Sequence, residues 1–140
     1  SEMCIRDRDY ITAREGALKL KEISYLYCEA LSGGELKHGT LALIHKGVKV
    51  VAIATQRNTV DKMRLAIEET RARGAEVITV STFESLRNVS DIFIKLPGLS
   101  DEAAPQAAVV PLQLLAYATA RRFGYNPDMP RNLAKSVTVE

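Results

Sequence analysis

Three stretches of the chain carry apolar residues at helical spacing. They predict helices over residues 14–31, from a cap at Asn58 or Thr59 to residue 73, and over residues 107–123, where Pro111 starts or bends the helix. The first helix is predicted from four apolar positions three or four residues apart, which are Leu20, Ile23, Tyr27 and Leu31.

Three apolar runs between these helices predict strands over residues 48–54, 76–81 and 91–96. The first run is nearly continuous in apolar residues, as in a strand covered on both faces, and we expect it at the centre of a sheet. Because strands and helices alternate, the strands should be parallel. The pattern predicts an α/β fold, a three-layer sandwich with a small parallel sheet.

Composition narrows the functional classes. A chain of 140 residues with 46% hydrophobic residues is the size of one domain with its own core. The net charge of +2 with scattered basic residues argues against a nucleic-acid partner. Cys4 and Cys28 fit neither a zinc site nor a disulfide framework, so we expect a reducing compartment, the cytoplasm, and no metal or cofactor. No apolar run approaches the roughly 20 residues that span a bilayer, so no membrane association is expected.

A carboxylate, an imidazole and an amine could together move a proton between neighbouring carbons of a sugar. Glu22 is the candidate base, because isomerisation of a ketose needs a group that lifts a proton from one carbon and returns it to the next. The alternative is a solvated carboxylate paired with Lys19. His38 could open a sugar ring, or it is an exposed loop histidine without a role. Lys135 could form a Schiff base with a ketone, or it is a solvated ammonium at a frayed terminus.

Residues 55–58 follow a predicted strand and precede a predicted helix. Such a position could meet a ligand anion, because helix N-termini at the carboxyl edge of a sheet favour negative charge. A capped turn explains the same residues equally well.

Several segments resemble, in order and spacing, the isomerase part of the glutamine:fructose-6-phosphate amidotransferases, also called glucosamine-6-phosphate synthases. The resemblance is to the second of their two sugar-isomerase (SIS) domains and runs from Tyr10 to the last residue. It implies a doubly wound α/β sandwich. The segments that carry it are residues 15–22 (EGALKLKE), 34–39 (GELKHG), 71–74 (RARG), 111–117 (PLQLLAY) and 130–140 (PRNLAKSVTVE).

The resemblance also implies roles for five residues. Glu22 would shuttle the proton between the first two sugar carbons, and Lys135 would be the Schiff-base lysine. His38 would open the sugar ring across a dimer interface, while Lys19 and Ala134 would line the same site. The implied activity is conversion of fructose 6-phosphate to glucosamine 6-phosphate with ammonia from glutamine, by at least a homodimer.

The resemblance divides the chain into three parts. Residues 1–9 fit neither the family nor a targeting signal, and we expect a non-native or disordered stub there. Residues 10–126 would form the SIS domain and residues 127–140 a catalytic tail. The family's glutaminase and its first SIS domain, which holds the sugar phosphate, have no counterpart here, so the chain alone should be nearly inactive.

Two other functions fit the same residues. The chain could be a non-catalytic SIS module that binds a phosphosugar and regulates a partner. It could also be an ammonia-independent isomerase assembled as a homodimer. Retention of Glu22, His38 and Lys135 together argues against the binding module, because binding alone requires neither a base nor a Schiff-base amine.

Overall fold

A computed structural model of the chain describes residues 8–35 and 39–131. Within these ranges three α-helices and three strands follow one another, with short 3-10 helices at Thr40–Leu43 and Glu84–Val89. The elements in chain order are α1 (Arg8–Ser24), β1 (Lys49–Ala54), α2 (Val60–Ala72), β2 (Glu76–Ser81), β3 (Ile92–Lys95) and α3 (Ala104–Arg122).

The three strands form one parallel sheet in the order β1-β2-β3. Val50 of β1 is opposite Val77 of β2, and Ile78 of β2 is opposite Ile92 of β3. The predicted strands and their parallel arrangement are confirmed. The predicted central position of β1 is wrong for the described part of the chain, where β1 lies at an edge. A continuous apolar run indicates that both faces of a strand are covered. It does not indicate whether the strand lies at the edge or at the centre of the sheet.

Side chains of β1 alternate between two cores, one on each face of the sheet. On one face Ala52 and Ala54 pack with Ile67 of α2. On the other face Ile53 packs with Val80 of β2 and Leu112 of α3. Helices therefore cover both faces, and the predicted three-layer α/β arrangement is confirmed.

Helices α1 and α3 pack together on the same face of the sheet, and small residues line their contact. A Cβ placed on Gly16 would lie 2.7 Å from Cδ1 and 3.1 Å from Cβ of Leu112. The hydroxyl of Thr12 donates to the carbonyl oxygen of Pro105 at 3.1 Å, which ties the first turns of the two helices together. The close approach therefore depends on glycine at position 16.

Arg71 of α2 joins that helix to the start of β3. Its Nη2 donates to Oδ1 of Asp91 at 2.8 Å, and Oδ2 of Asp91 accepts the backbone N–H of Val77 at 2.7 Å. The N–H of Val77, followed by the guanidinium of Arg71, holds the pKa of Asp91 below its usual value. Arg71, in the matching segment 71–74, thus has a structural role.

Helix α1 differs from its prediction at both ends. It begins at Arg8, so Arg8 and Asp9 belong to a helix rather than to the expected stub, while residues 1–7 lie outside the described ranges. It ends at Ser24, because Tyr25 has a φ of 59°, in the left-handed region that terminates helices. The prediction of helix to residue 31 is wrong, since the apolar spacing that suggested it contains no information about the distant residues that contact Tyr25.

Helix α3 begins three residues earlier than predicted and includes Pro111 in its interior. Pro105 lies in its first turn, where the missing backbone N–H of proline costs nothing. The connection between β3 and α3 is therefore shorter than the predicted ends of these elements imply. The bounds of α2 agree with the prediction, with Thr59 at the N-cap position and Gly74, at a φ of 90°, just after its end, but the Thr59 side chain makes no capping hydrogen bond to the helix.

The contact between α1 and α3 can be tested with Gly16→Val. The added side chain overlaps Leu112, so we expect the free energy of unfolding in urea to fall by about 1–3 kcal/mol. Leu18→Val, at an exposed position of the same helix, is the control and should cost only the small helix-propensity difference. Equal losses in the two variants would contradict the close packing at Gly16.

Candidate active site

The polar face of α1 places Glu22 and Lys19 side by side. Nζ of Lys19 lies 3.0 Å from Oε2 of Glu22 and 3.6 Å from Oε1 of Glu15. The side chains of Lys19 and Glu22 are 36% and 27% exposed. The ammonium therefore lies between two carboxylates, one turn apart on either side of it.

This ion pair sets the protonation state of the lysine. The hydrogen bond from Lys19 to Glu22 raises the pKa of Lys19 above its ordinary value, with a further contribution from Glu15. Lys19 is therefore an ammonium at neutral pH, suited to orienting a carboxylate rather than to acting as a nucleophile. The predicted adjacency of Glu22 and Lys19 is present, as both the catalytic and the structural interpretation require.

Three of the five predicted site residues, His38, Ala134 and Lys135, lie outside the described residues. The structure therefore places Glu22 beside Lys19, and the positions of the other three residues are not described. The second histidine, His45, has Nδ1 at 2.9 Å from the carbonyl oxygen of Lys46, which fits a turn residue without a chemical role.

Two cavities border α1. The smaller, of about 510 Å³, lies along the exposed side of the helix near Arg14 and Lys21. The larger, of about 1020 Å³, lies between α1, the segment after it and β1, and its wall is mostly apolar. Neither wall includes Glu22 or Lys19.

Carboxylates occupy the corner after β1, at the residues where the sequence is compatible with an anion site. Asp9 accepts hydrogen bonds from the backbone N–H of Thr55 at 2.8 Å and from its hydroxyl at 2.5 Å. The backbone N–H of Arg57 donates to Oδ2 of Asp101 at 3.1 Å. The hydroxyl of Thr59 donates to the carbonyl oxygen of Gln56. Two carboxylates at this corner disfavour a further anion, so the geometry favours a structural turn, closed by Asp9 and Asp101 rather than by a Thr59 cap.

Aromatic side chains and an arginine form a cluster at the end of α1, which we call the tyrosine clamp (Tyr25, Tyr125 and Arg131). The rings of Tyr25 and Tyr125 are 4.8 Å apart in an edge-to-face arrangement. The guanidinium of Arg131 lies 4.0 Å from the ring centre of Tyr25 and 5.6 Å from that of Tyr125. The backbone N–H of Arg131 donates to the Tyr25 hydroxyl at 2.8 Å, which lowers the pKa of Tyr25.

Sequence reasoning missed Asp9 and the tyrosine clamp. Asp9 precedes an apolar helical pattern, as first-turn acidic residues often do, and that signal was available. Nothing local singles out Tyr25, because its contacts come from residues about a hundred positions later in the chain.

The described residues contain no group of three or more histidine, cysteine or acidic side chains placed to hold a metal ion. No helix in that part of the chain is both long and apolar enough to cross a membrane.

A parallel sheet between two helical layers defines an α/β domain. The sequence profile of the SIS domain matches residues 6–120, and the chain belongs to this family.

Individual relatives agree with this assignment. The chain is 57% identical over 135 residues to the glutamine–fructose-6-phosphate aminotransferase (isomerizing) of Pyrococcus horikoshii, a match that covers 96% of the chain and 23% of the relative. The enzyme of the same name from Clostridium acetobutylicum is 50% identical over 137 residues, covering 96% and 22%. The chain thus spans about a fifth of the length of these curated relatives.

Solved structures show the same fold. The C-terminal domain of the glucosamine-fructose-6-phosphate aminotransferase of Francisella tularensis superposes with a TM-score of 0.78 at 39% identity, over 86% of this chain and 34% of that one. The glucosamine-6-phosphate deaminase of Thermotoga maritima gives a TM-score of 0.69 at 32% identity, over 91% and 37%.

The buried carboxylate of Asp9 provides a test of how α1 is held. Asp9→Asn retains one acceptor but turns an amide donor toward the donors of Thr55, so we expect a loss of about 1–3 kcal/mol in the free energy of unfolding. The control is Asp61→Asn, which removes an exposed carboxylate from the first turn of α2 and should cost about 0.3–1 kcal/mol. A loss at Asp9 no larger than at Asp61 would show that the bond to Thr55 does not hold the helix.

Proposed function

We propose that the chain is the C-terminal half of the isomerase domain of a glutamine–fructose-6-phosphate aminotransferase. The complete enzyme would convert fructose 6-phosphate to glucosamine 6-phosphate with ammonia from glutamine. The observation that carries the proposal is 57% identity to an aminotransferase over nearly the whole chain. The placement of Glu22 beside Lys19 on one helix face supports it.

Three residues would share the chemistry. His38 would open the sugar ring, and the amine of Lys135 would add to the C2 ketone and lose water to give a Schiff base. Ammonia would then replace the lysine nitrogen on C2 and free the amine. Glu22 would take a proton from C1 and return it to C2, so that C1 becomes an aldehyde and C2 keeps the amino group.

Lys19 would act on Glu22 rather than on the sugar carbons. Its ammonium binds Oε2 of Glu22 at 3.0 Å and fixes the carboxylate on the helix surface. Oε1 is then the oxygen that would exchange the proton with the substrate. Ala134 would line the site next to the Schiff-base lysine.

The proposal extends to the assembly. The parts of the enzyme that bind the sugar phosphate and release ammonia from glutamine would lie in the first SIS domain and the glutaminase. We propose a homodimer in which His38 reaches across the interface, acting in the cytoplasm. Residues 10–126 would form the SIS part of this unit and residues 127–140 its catalytic tail.

The proposed role of Glu22 can be tested in a chimaera in which residues 8–140 replace the matching segment of the Pyrococcus horikoshii relative. Glu22→Gln removes the base, so we expect kcat for glucosamine 6-phosphate formation to fall by about 100- to 10,000-fold with little change in KM. Glu68→Gln, an exposed glutamate of α2, is the control. Retained turnover in the Glu22→Gln chimaera would exclude Glu22 as the base.

The same chimaera separates catalysis from binding alone. Borohydride should trap fructose 6-phosphate on Lys135, and Lys135→Arg should abolish the adduct, because a guanidinium does not form a Schiff base. Saturable binding of the sugar phosphate without exchange of its carbon-bound proton would instead support the non-catalytic module.

A further inference from the structure

We propose that the tyrosine clamp positions the C-terminal tail, so that Tyr25 and Arg131 are positioning residues for the amine of Lys135. This inference rests on the proposed function, because it concerns the reaction of that lysine. It assigns a task to a cluster that the chemistry of Glu22, His38 and Lys135 does not use.

The first support is where the clamp lies. The backbone N–H of Tyr25 donates to the carbonyl oxygen of Lys21 at 3.2 Å, so Tyr25 directly follows the last turn of α1, the turn that carries Glu22. Arg131 is bound to this residue through both its backbone and its side chain. The clamp therefore fixes one point of the chain after α3 against the end of the helix that bears the candidate base.

The second support is the length of chain that remains. Lys135 follows Arg131 by four residues in the sequence, and four residues of fully extended chain span at most about 14 Å. Without the clamp, the last point tied to α3 would be Tyr125, whose backbone N–H donates to the carbonyl oxygen of Ala120 at 2.9 Å, ten residues before Lys135. Holding Arg131 reduces the number of residues between the last such point and the lysine from ten to four, which would raise the effective concentration of the lysine beside α1.

The third support is the backbone of Tyr25 itself. A φ of 59° is ordinary for glycine but unfavourable for a residue with a large side chain. Such conformations persist where surrounding contacts enforce them, and they concentrate at functional sites. Tyr25 makes two such contacts. Its ring faces Tyr125 and the guanidinium of Arg131, and its hydroxyl accepts the backbone N–H of Arg131. Glycine at position 25 would adopt this φ without strain, but it has no side chain to contact Tyr125 and Arg131.

Hydrogen exchange in the 140-residue chain tests the clamp directly, without any reaction. The Tyr25 hydroxyl protects the Arg131 amide, so Tyr25→Phe should speed exchange of that amide by about tenfold. Tyr117→Phe changes an exposed tyrosine of α3 and is the control, expected to leave the Arg131 amide unchanged. Equal exchange in wild type and Tyr25→Phe would overturn the clamp.

Trapping in the chimaera tests its consequence for the lysine. Tyr25→Ala and Arg131→Ala should slow borohydride trapping of fructose 6-phosphate on Lys135 by about 10- to 100-fold. Tyr25→Phe and Arg131→Lys, which keep the ring or the charge, should recover part of the rate. Arg121→Ala, an exposed arginine of the last turn of α3, should trap at the wild-type rate.

The outcomes distinguish the two proposals. Faster exchange at Arg131 together with slower trapping supports the positioning role. Wild-type trapping in Tyr25→Ala and Arg131→Ala, when Lys135→Arg abolishes the adduct, would overturn the positioning role and leave the proposed function intact. An adduct that survives Lys135→Arg would overturn the proposed function and, with it, the role of the clamp in the reaction.

Discussion

The position of α1 depends on one buried carboxylate. Asp9 is 4% exposed and accepts both the backbone N–H and the hydroxyl of Thr55, so the first turn of the helix is tied to the carboxyl end of β1. A buried carboxylate tolerates few alternatives, because leaving it without donors costs far more than the bonds contribute. Together with the close contact of Gly16 and Leu112, this bond sets where every later residue of α1 lies.

Glu22 lies three to four turns after that anchor, so its position follows from packing at the other end of the helix. The buried side of α1 faces α3, and its exposed side carries the carboxylates and the ammonium of Lys19. A rigid helix is a suitable support for a base, because an error of a fraction of an ångström at the reacting atom lowers the rate. The same helix would thereby connect stability at Asp9 with chemistry at Glu22.

The end of α1 contacts the chain that follows α3. Tyr25 stops the helix in a conformation that favours glycine, and its side chain contacts Tyr125 and Arg131 from the opposite end of the chain. Helix termination and attachment of the segment after α3 are thus performed by one residue. The apolar cavity of about 1020 Å³ between α1, the segment after α1 and β1 shows that the described residues do not fill all the space there.

The sequence by itself determined the α/β class, α2 and the three parallel strands to within one residue at each end, because these depend on local periodicity. It also determined the pairing of Lys19 with Glu22, because these residues are three apart on one helix. Only the tertiary structure decided the two ends of α1, the edge position of β1 and the capped corner at Thr55. Asp9 and Tyr25 take their roles from Thr55, Tyr125 and Arg131, which are distant in sequence. A periodic pattern contains no information about such partners, so contacts of this kind arise only when the chain folds.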